Sequence, residues 1–321
     1  MIEPGRPATL FDVAARAGVG KSTVSNVLQG KGRFAERTRD AVLAAARELG
    51  YVPNPAARRL RGGRTGTIGV HLPQTPTASA YYMEFVFGVL EHAAAHDRDV
   101  TVLTGGRVPR VDGFVVSDPM AGDPFTAQLL DADVPVVTCE DVRGGATPDG
   151  VVWADHGGAL RGLLDTVGAR RPALLVPPED GDWSARLGEG FRAWCADAGV
   201  PERIARIDWI PTTANLEGAL DDVLAADPDL DTLVCGPVDT AALLLPALRG
   251  RGIRVGEDLR LACATDSAAC ALTDPPITAV DQAPRLAGRR CAELLEALLD
   301  GTADAGARVE VPLRIVRRAS A

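Results

Sequence analysis

The polar residues best suited to chemistry lie in a short stretch near the N-terminus. Lys21, Ser22, Ser25, Asn26 and Gln29 repeat with the period of a helical turn, so one face of a helix would carry all of them. On such a face, asparagine can form two hydrogen bonds to adenine, and lysine can donate to guanine. The pattern predicts a surface that reads DNA bases. A small helical bundle with a solvated polar face is the alternative that the spacing leaves open.

The charge of the chain is distributed unevenly around this stretch. Residues 1–64 contain 12 Lys and Arg against 5 Asp and Glu, a net charge of +7, whereas the other 257 residues contain 22 against 38, a net charge of −16. A whole-chain charge of −9 would argue against a nucleic-acid partner. A basic segment on an acidic body argues for one, because it directs one end of the molecule towards phosphate.

Three short helices are predicted to position the polar face. An apolar stripe at i, i+3, i+4 and i+7 from Leu10 indicates the first, with Thr9 as its N-cap and Gly18 as its stop. The second runs from about residue 21 to 28, and the third from about 36 to 49. Two short helices joined by a glycine turn are typical of a helix-turn-helix unit, whose second helix enters the major groove.

Residues 53–64 are predicted to be a hinge and linker. Prolines open the segment and paired glycines end it. Arg58 and Arg61 give it positive charge and are further candidates for contact with DNA. Leu60 lies among these arginines without a core of its own, so local packing in a linker is its simplest interpretation.

The stretch DVAARAGVGKSTVSNVLQGKGRFAERTRDAVLAAARELGYVPNPAARRLRGGRTGTIGV, residues 12–70, resembles the lactose-repressor/galactose-repressor family of bacterial transcription regulators. The resemblance implies that Lys21, Ser22 and Asn26 lie where family members read bases, and that Thr23 and Ser25 lie where they contact the DNA backbone. It also implies that Leu60 wedges into the minor groove at the centre of the operator and that Arg61 follows it there.

The rest of the chain alternates short apolar runs with amphipathic segments, which predicts parallel sheets with helices on both faces. The predicted strands are 67–72, 100–103, 113–116, 135–138, 151–153, 173–176, 206–210, 232–235 and 259–264. The predicted helices include 82–96, 157–167, 184–198, 215–226, 239–250 and 284–299. The length of this part favours two subdomains. The resemblance implies a periplasmic-binding-protein-like α/β fold of two lobes with a ligand in the cleft between them.

Ligands of open α/β sheets bind beyond the carboxyl ends of the strands. The candidates there are polar or aromatic: His71, Gln74, Tyr81, Tyr82, Arg186, Asp239 and Asp266. The resemblance implies that Tyr81 and Tyr82 stack on or cover the ligand and that Asp266 accepts hydrogen bonds from it. For Asp239, which precedes an apolar helix, an N-cap is an equally good interpretation.

Three departures from the family pattern argue against a simple hexose as the ligand. Val238 stands where the family usually has asparagine, and Leu187 stands at the usual arginine position, with Arg186 one residue away. The usual Gly-His pair before a core strand is Gly168-Ala169. We therefore expect a sugar, nucleoside or related effector, with poor affinity for simple hexoses.

The first lobe is predicted to be abridged. Only nine residues separate strands 100–103 and 113–116, and a parallel crossover usually needs a dozen or more, including a helix. We expect no full helix between Leu103 and Gly113. The apolar surface left on that side should be covered by a partner subunit or by a neighbouring loop.

Other features narrow the class of protein. The six cysteines form no C-x-x-C pair, so buried free thiols are favoured over disulfides or zinc. No signal segment or transmembrane run is recognised, which predicts a cytoplasmic protein without a membrane partner. No glycine-rich phosphate loop, G-x-S-x-G or metal motif is found, and no cofactor is expected. A cleft enzyme or a solute-binding protein on the same α/β fold remains the alternative.

The sequence thus predicts a homodimeric transcription regulator, most simply a repressor, that binds double-stranded operator DNA and a small-molecule effector. Its three parts are a helix-turn-helix domain over residues 1–52, the hinge over 53–64, and an effector-binding and dimerisation domain over 65–321. A dimer with two-fold symmetry needs a pseudopalindromic operator. Ligand closure of the cleft would change the dimer geometry and hence the order of the hinge helices.

Overall fold

A computed structural model of the protein describes residues 8–28, 32–51, 64–73, 80–145 and 147–321. The chain divides into two units, a head over Met1–Thr65 and a body over Gly66–Ala321. The predicted hinge at residues 53–64 lies outside the described residues except for Arg64, so its boundaries stay a prediction. Among the described residues, no helix combines the length and the apolar character needed to span a membrane.

The head contains helices α1 (Leu10–Ala17), α2 (Lys21–Leu28) and α3 (Glu36–Glu48), as the sequence predicts. Thr9 and Asp12 cap α1 reciprocally: the Asp12 carboxylate accepts from the Thr9 amide at 2.8 Å, and the Thr9 hydroxyl oxygen accepts from the Asp12 amide at 3.4 Å. Gly18 ends α1 in the left-handed region at φ +67°. The core of the head consists of small side chains from all three helices: Val13, Ala14, Val24, Val27, Val42, Ala45 and Ala46.

The body has two sheets, each with helices on both faces. The first lobe holds β1 (Thr67–His71), α4 (Ala80–Ala95), β2 (Asp99–Leu103), β3 (Gly113–Ser117), α5 (Pro124–Leu130), β4 (Val136–Cys139), β5 (Gly150–Trp153), α11 (Pro284–Leu299) and β11 (Ala307–Glu310). Its strand order is β11-β5-β4-β3-β1-β2, and all neighbours are parallel. Every residue of β3 and β4 is buried, as expected for central strands covered on both faces.

The second lobe repeats this architecture. It holds α6 (His156–Val167), β6 (Pro172–Val176), α7 (Asp182–Ala198), β7 (Ile204–Arg206), α8 (Thr213–Ala226), β8 (Thr232–Cys235), α9 (Thr240–Gly250), β9 (Arg260–Cys263), α10 (Ala268–Leu272), β10 (Thr278–Asp281) and β12 (Arg314–Val316). The strand order is β12-β10-β9-β8-β6-β7, and only β12 is antiparallel to its neighbour. The chain passes between the lobes three times, at residues 154–155, 282–283 and 311–313.

Two glycines allow the helices that cover the first sheet to pack closely. A Cβ atom at Gly88 of α4 would lie 2.0 Å from the carbonyl oxygen of Arg285, and one at Gly288 of α11 would lie 2.0 Å from that of Phe85. No side chain fits at either position, so the backbones of α4 and α11 are in direct contact.

The abridged crossover is confirmed. Residues 104–112 contain no helix and pass from the edge strand β2 across β1 to β3. The crossover covers part of the sheet, because Val111 is buried and Val108 packs against the cluster that includes Phe114 and Phe125, but Val102 of β2 stays 47% exposed. The crossover itself thus replaces part of the missing helix, and cover of the rest by a partner subunit or a neighbouring loop stays a prediction.

The predicted strand 206–210 is largely wrong. The observed β7 ends at Arg206. The Ile207 amide makes one further hydrogen bond, to Val176 O at 3.2 Å, with its side chain buried in the core, and the residues after it belong to no strand. Edge strands are held on one side only, so an apolar run there extends past its last hydrogen bond. Strands β10 to β12 and the short helices α5 and α10 were not predicted. All six cysteines are buried and free.

Candidate functional site

The polar face predicted for α2 is exposed in the head. Ser22 and Asn26 are the more exposed of its residues, and Lys21, Thr23 and Ser25 are half-buried or at the edge of this face. Val24 and Val27, on the opposite face, are buried in the core of the head. The apolar side of α2 therefore anchors the helix and leaves the polar side for an external partner. Arg58, Leu60 and Arg61 lie outside the described residues.

An aromatic residue that the sequence analysis did not select lies beside this face. Phe11 is 64% exposed, and the Lys21 ammonium lies 3.9 Å from the centroid of its ring. A cation over an aromatic face is attracted by the ring quadrupole. The signal in the sequence is that Phe11 falls outside the apolar stripe that starts at Leu10. An exposed ring at this place could contact a thymine methyl group.

A cavity of about 240 Å³ in the body lies between the two lobes, beyond the ends of several parallel strands. Four aromatic residues line it: Tyr81, Tyr82, Trp183 and Trp209. The polar residues that line it are Asp118, His156, Asp239, Thr240, Thr265 and Gln282. Aliphatic residues such as Val238 and Leu243 complete the wall. We call this cavity the cleft.

A buried acid–base cluster lies at one side of the cleft, where the ends of β3 and β4 of the first lobe meet the start of α6 of the second. The Tyr82 hydroxyl donates to Asp118 Oδ2 at 2.8 Å, and the Ser117 hydroxyl donates to the same oxygen at 3.3 Å. His156 Nε2 lies 2.9 Å from Glu140 Oε1, and both side chains are almost fully buried. This cluster comprises Asp118, Glu140 and His156, with two carboxyl groups and one imidazole.

The electrostatics of the cluster follow from its burial. Desolvation, together with the negative charge of Glu140, raises the pKa of Asp118 to about 6, although Tyr82 and Ser117 both donate to it. Burial alone would lower the pKa of His156, but the charges of Glu140 and Asp118 raise it above its usual value. Burial raises the pKa of Tyr82 well above 10, and the neighbouring Asp118 adds to this effect.

Backbone strain is concentrated at the same strand ends. Asp118, Glu140 and Asp239 all have positive φ values, of 44°, 76° and 64°. Such values cost free energy for residues with a Cβ atom, and strained residues cluster at functional sites. The three carboxylates are thus held in place by the surrounding structure rather than by local preference.

The structure places three of the predicted ligand residues at the cleft. Tyr81 and Tyr82 begin α4 there, with their rings edge to face at 5.2 Å. Asp239 occupies the N-cap position of α9 but makes no capping hydrogen bond; instead its carboxylate accepts from the Ser267 hydroxyl at 2.5 Å. Gln74 lies outside the described residues. His71 is buried away from the cleft, with Nε2 3.4 Å from Asp123.

Arg186 does not line the cleft. Its guanidinium lies 3.4 Å from Asp182 and 3.6 Å from Asp141, which belongs to the first lobe. Arg143 of the first lobe likewise reaches Asp182 at 3.3 Å. Because Trp183 and Leu187 take the inward positions of α7, Arg186 faces the loop after β4 and joins an ion network between the lobes.

Asp266 also lies outside the cleft. Both of its carboxylate oxygens accept from Arg318 at 2.8 Å, and it lines a separate shallow pocket. The residue before it, Thr265, lines the cleft. Successive residues after a strand point in opposite directions. A prediction that is wrong by one position therefore places Asp266 in the cleft instead of Thr265.

The sequence analysis missed several cleft residues, among them Asp118, His156, Trp183, Trp209, Thr265 and Gln282. Asp118 and Thr265 each follow a predicted strand within two residues of its end, which was a usable signal, whereas Gln282 follows β10, which was not predicted. Trp209 was assigned to a strand that ends earlier, and nothing in the pattern distinguished Trp183 from a core residue.

Both units match known families. Residues 9–54 match the bacterial regulatory proteins of the lacI family, and residues 163–321 match the periplasmic binding protein-like domain. The transcriptional regulator CelR of Thermobifida fusca is 31% identical over 99% of this chain and 100% of its own length. The chain belongs to the lacI family of bacterial regulatory proteins. It is a DNA-binding transcriptional regulator with a periplasmic-binding-protein-like domain.

Solved structures of the family agree with this architecture. A complex of the regulator CelR with cellobiose has a TM-score of 0.73 and 28% identity, and the match covers 98% of this chain and 100% of that one. The Lac repressor bound to ONPG in the repressed state has a TM-score of 0.81 and 25% identity, with coverage of 98% and 100%. The resemblance inferred from the sequence is confirmed, and so is the predicted fold class.

Proposed function

We propose that this regulator binds a pseudopalindromic operator as a homodimer, represses transcription there, and responds to a small molecule in the cleft. The observation that carries the proposal is that one chain combines an exposed polar helix face on a basic head with a cleft at the strand ends of a two-lobed body. A regulator that occupies DNA acts where the chromosome is, so we infer that it works in the cytoplasm.

In the head, Lys21, Ser22 and Asn26 are proposed to read base edges, and Thr23 and Ser25 to position α2 against the DNA backbone. The exposure of this face and the anchoring of Val24 and Val27 support its contact with DNA, and the division into base and backbone contacts rests on the family resemblance. Leu60, flanked by Arg58 and Arg61, is proposed to enter the minor groove at the operator centre. The roles of these three residues rest on the family resemblance alone.

In the body, the cleft is proposed to bind its ligand without converting it. Tyr81 and Tyr82 belong to the first lobe and Trp183 and Trp209 to the second, so a ligand between them would hold the lobes together. The ion network of Arg143, Asp182 and Arg186 also joins the lobes, and closure would alter its distances. The ligand would bind the closed arrangement of the lobes more tightly than the open one, and this difference in affinity would couple the cleft to the head.

The test is selection of operator DNA from a random duplex library with the full-length protein, followed by fluorescence anisotropy on the selected site. We expect a two-fold symmetric consensus. Asn26→Ala should cost about 1–3 kcal/mol on that site and change the preferred base at one half-site position. Arg254→Ala, which removes a positive charge from the body surface, is the control and should leave the affinity unchanged. Equal loss of Asn26→Ala on all sequences would contradict a base-reading role.

A further inference from the structure

The donors and acceptors of the cleft are unequally available. Within the described residues, most side-chain donors that line the cleft are already engaged: the Tyr82 hydroxyl with Asp118, the Thr240 hydroxyl with Pro237 O, and the Gln282 amide with Ala264 O. The Trp209 indole donates to Asp180 and the Thr265 hydroxyl to Gly236 O. These groups are therefore not free to donate to the acceptor oxygens of a sugar or of an acid.

Acceptors remain. The carboxylates of Asp118 and Asp239 both line the cleft, and the hydrogen bonds described above engage one oxygen of each. Among the described residues that line the cleft, Trp183 has a buried indole N–H without a partner, which contributes a single donor. In the part of the chain that the structure describes, no arginine or lysine lines the cleft.

The charge at the cleft is negative, which also favours a ligand that donates hydrogen bonds. With Asp118 and Glu140 ionised and His156 protonated, the buried cluster carries an excess negative charge, and Asp239 adds another on the opposite wall. A buried carboxylate without a counter-charge is costly, and an ammonium group, which has three donors and no acceptor, would offset that cost. The four surrounding aromatic rings attract cations through their faces and accept an apolar body.

We infer that the effector of this regulator is an organic cation, an amine whose ammonium group meets Asp118 and whose apolar or aromatic body lies among Tyr81, Tyr82, Trp183 and Trp209. This inference rests on the proposed role of the cleft and specifies its ligand class. The hydroxyls of a neutral glycoside would donate to the same carboxylates but would leave their charge unpaired, and an anion would face the carboxylates without a basic partner.

The first test compares probes that share a phenyl ring on a short chain and differ in the charge of the polar end. Isothermal titration of the full-length protein with 2-phenylethylamine, 2-phenylethanol and phenylacetate should give the amine at least a tenfold lower Kd than the alcohol, with phenylacetate weakest. An alcohol that binds as well as the amine overturns the inference, as does an amine that does not bind. Operator affinity without any probe is measured in parallel, so a failure of the proposed function is seen separately.

The second test uses pH on the unaltered chain. Tyr81 and Tyr82 of α4, Glu140 after β4 and His156 of α6 face Asp118. Because the Asp118 pKa is about 6, the carboxylate ionises between about pH 5 and 7, and amine affinity should rise roughly tenfold over that range. Loss of the His156 proton would act in the same direction. An affinity that is flat or falls with pH overturns the inference.

The third test replaces the carboxylate that is proposed to bind the ammonium group. Asp118→Asn should remove the preference for amine over alcohol and flatten the pH profile, while Asp258→Asn, which changes an exposed carboxylate held by Arg254, should keep both. If Asp118→Asn retains the full preference for the amine, the ammonium is bound elsewhere and the inference is wrong.

Discussion

The hydroxyl of Tyr82 donates to Asp118 at 2.8 Å and thereby joins the start of α4 to the end of β3. This hydrogen bond favours the charged carboxylate, whereas burial and Glu140 disfavour it. The balance leaves the Asp118 pKa at about 6, above its value of about 3.9 in an unfolded chain. The folded protein therefore binds this proton more tightly than the unfolded chain does. The stability that Asp118 contributes is present in acid and is lost as the pH rises towards about 6.

Tyr82→Phe should raise the Asp118 pKa further and lower the free energy of unfolding. The loss should be roughly 1–3 kcal/mol at about pH 8, where the buried carboxylate is charged and loses a donor, and smaller at about pH 5, where it is protonated. Urea unfolding at the two pH values measures the difference. Tyr51→Phe, the same change in the head, is the control. A loss that is equal at both pH values would show that the hydroxyl does not act through the charge of Asp118.

Gly88→Ala should destabilise the body severely. The added Cβ would lie 2.0 Å from the Arg285 carbonyl oxygen, so α4 and α11 would have to separate, at a cost of about 3 kcal/mol or more. Gly218→Ala is the matched control, because Gly218 lies inside α8 and a Cβ atom added there would meet no other atom closely. That change should stabilise the protein by roughly 0.4–1 kcal/mol. Thermal unfolding of both variants measures the two changes in stability. If Gly88→Ala were as stable as the parent, the close contact between α4 and α11 would be contradicted.

The head was predicted well from sequence, and the cleft only approximately. Thr9, Gly18 and the apolar stripe of α1 act locally, so caps and periodicity sufficed to locate the helices. The cleft depends on where each strand ends and which way the next residue turns. At Arg206 and at Thr265, that point is set by packing between distant segments, which no local pattern records. Thr265 rather than Asp266 therefore lines the cleft, and Arg186, which lies on a helix, is directed away from it by the inward packing of Trp183 and Leu187.

Operator binding should depend steeply on salt, because the arginines and lysines of the head displace counterions from phosphate. For roughly 6 to 10 phosphate contacts, affinity should fall by roughly 10³–10⁵ between about 50 and 200 mM salt. Fluorescence anisotropy on the selected operator over this range gives the slope. A nearly flat plot of log Kd against log salt would contradict DNA binding through the basic head.

Leu60→Ala should weaken specific operator binding and remove a bend at the operator centre, without changing folding or dimerisation. The reason is that a leucine wedged into the minor groove unstacks a base step and is repaid by the contacts of bent DNA. A flexible pyrimidine–purine step should accordingly lie at the centre. A gel-shift phasing assay measures the bend. If the variant binds and bends DNA like the parent, Leu60 is only a linker residue.

Thr265 and Asp266 lead to opposite expectations. Asp266 is paired with Arg318 through two hydrogen bonds away from the cleft, so Asp266→Asn should lower the melting temperature and leave cleft affinity within about twofold. Thr265 accepts from the Gln282 amide at 2.9 Å and donates to Gly236 O, so Thr265→Val should remove one of the two acceptors of that amide, which keeps its bond to Ala264 O, and change cleft affinity while stability falls less. Quenching of the emission of Trp183 and Trp209 by 2-phenylethylamine reports affinity, and thermal unfolding reports stability. If Asp266→Asn lost ligand binding at unchanged stability, the assignment made from the family resemblance would be the correct one, and Asp266 would have to turn into the cleft when a ligand binds.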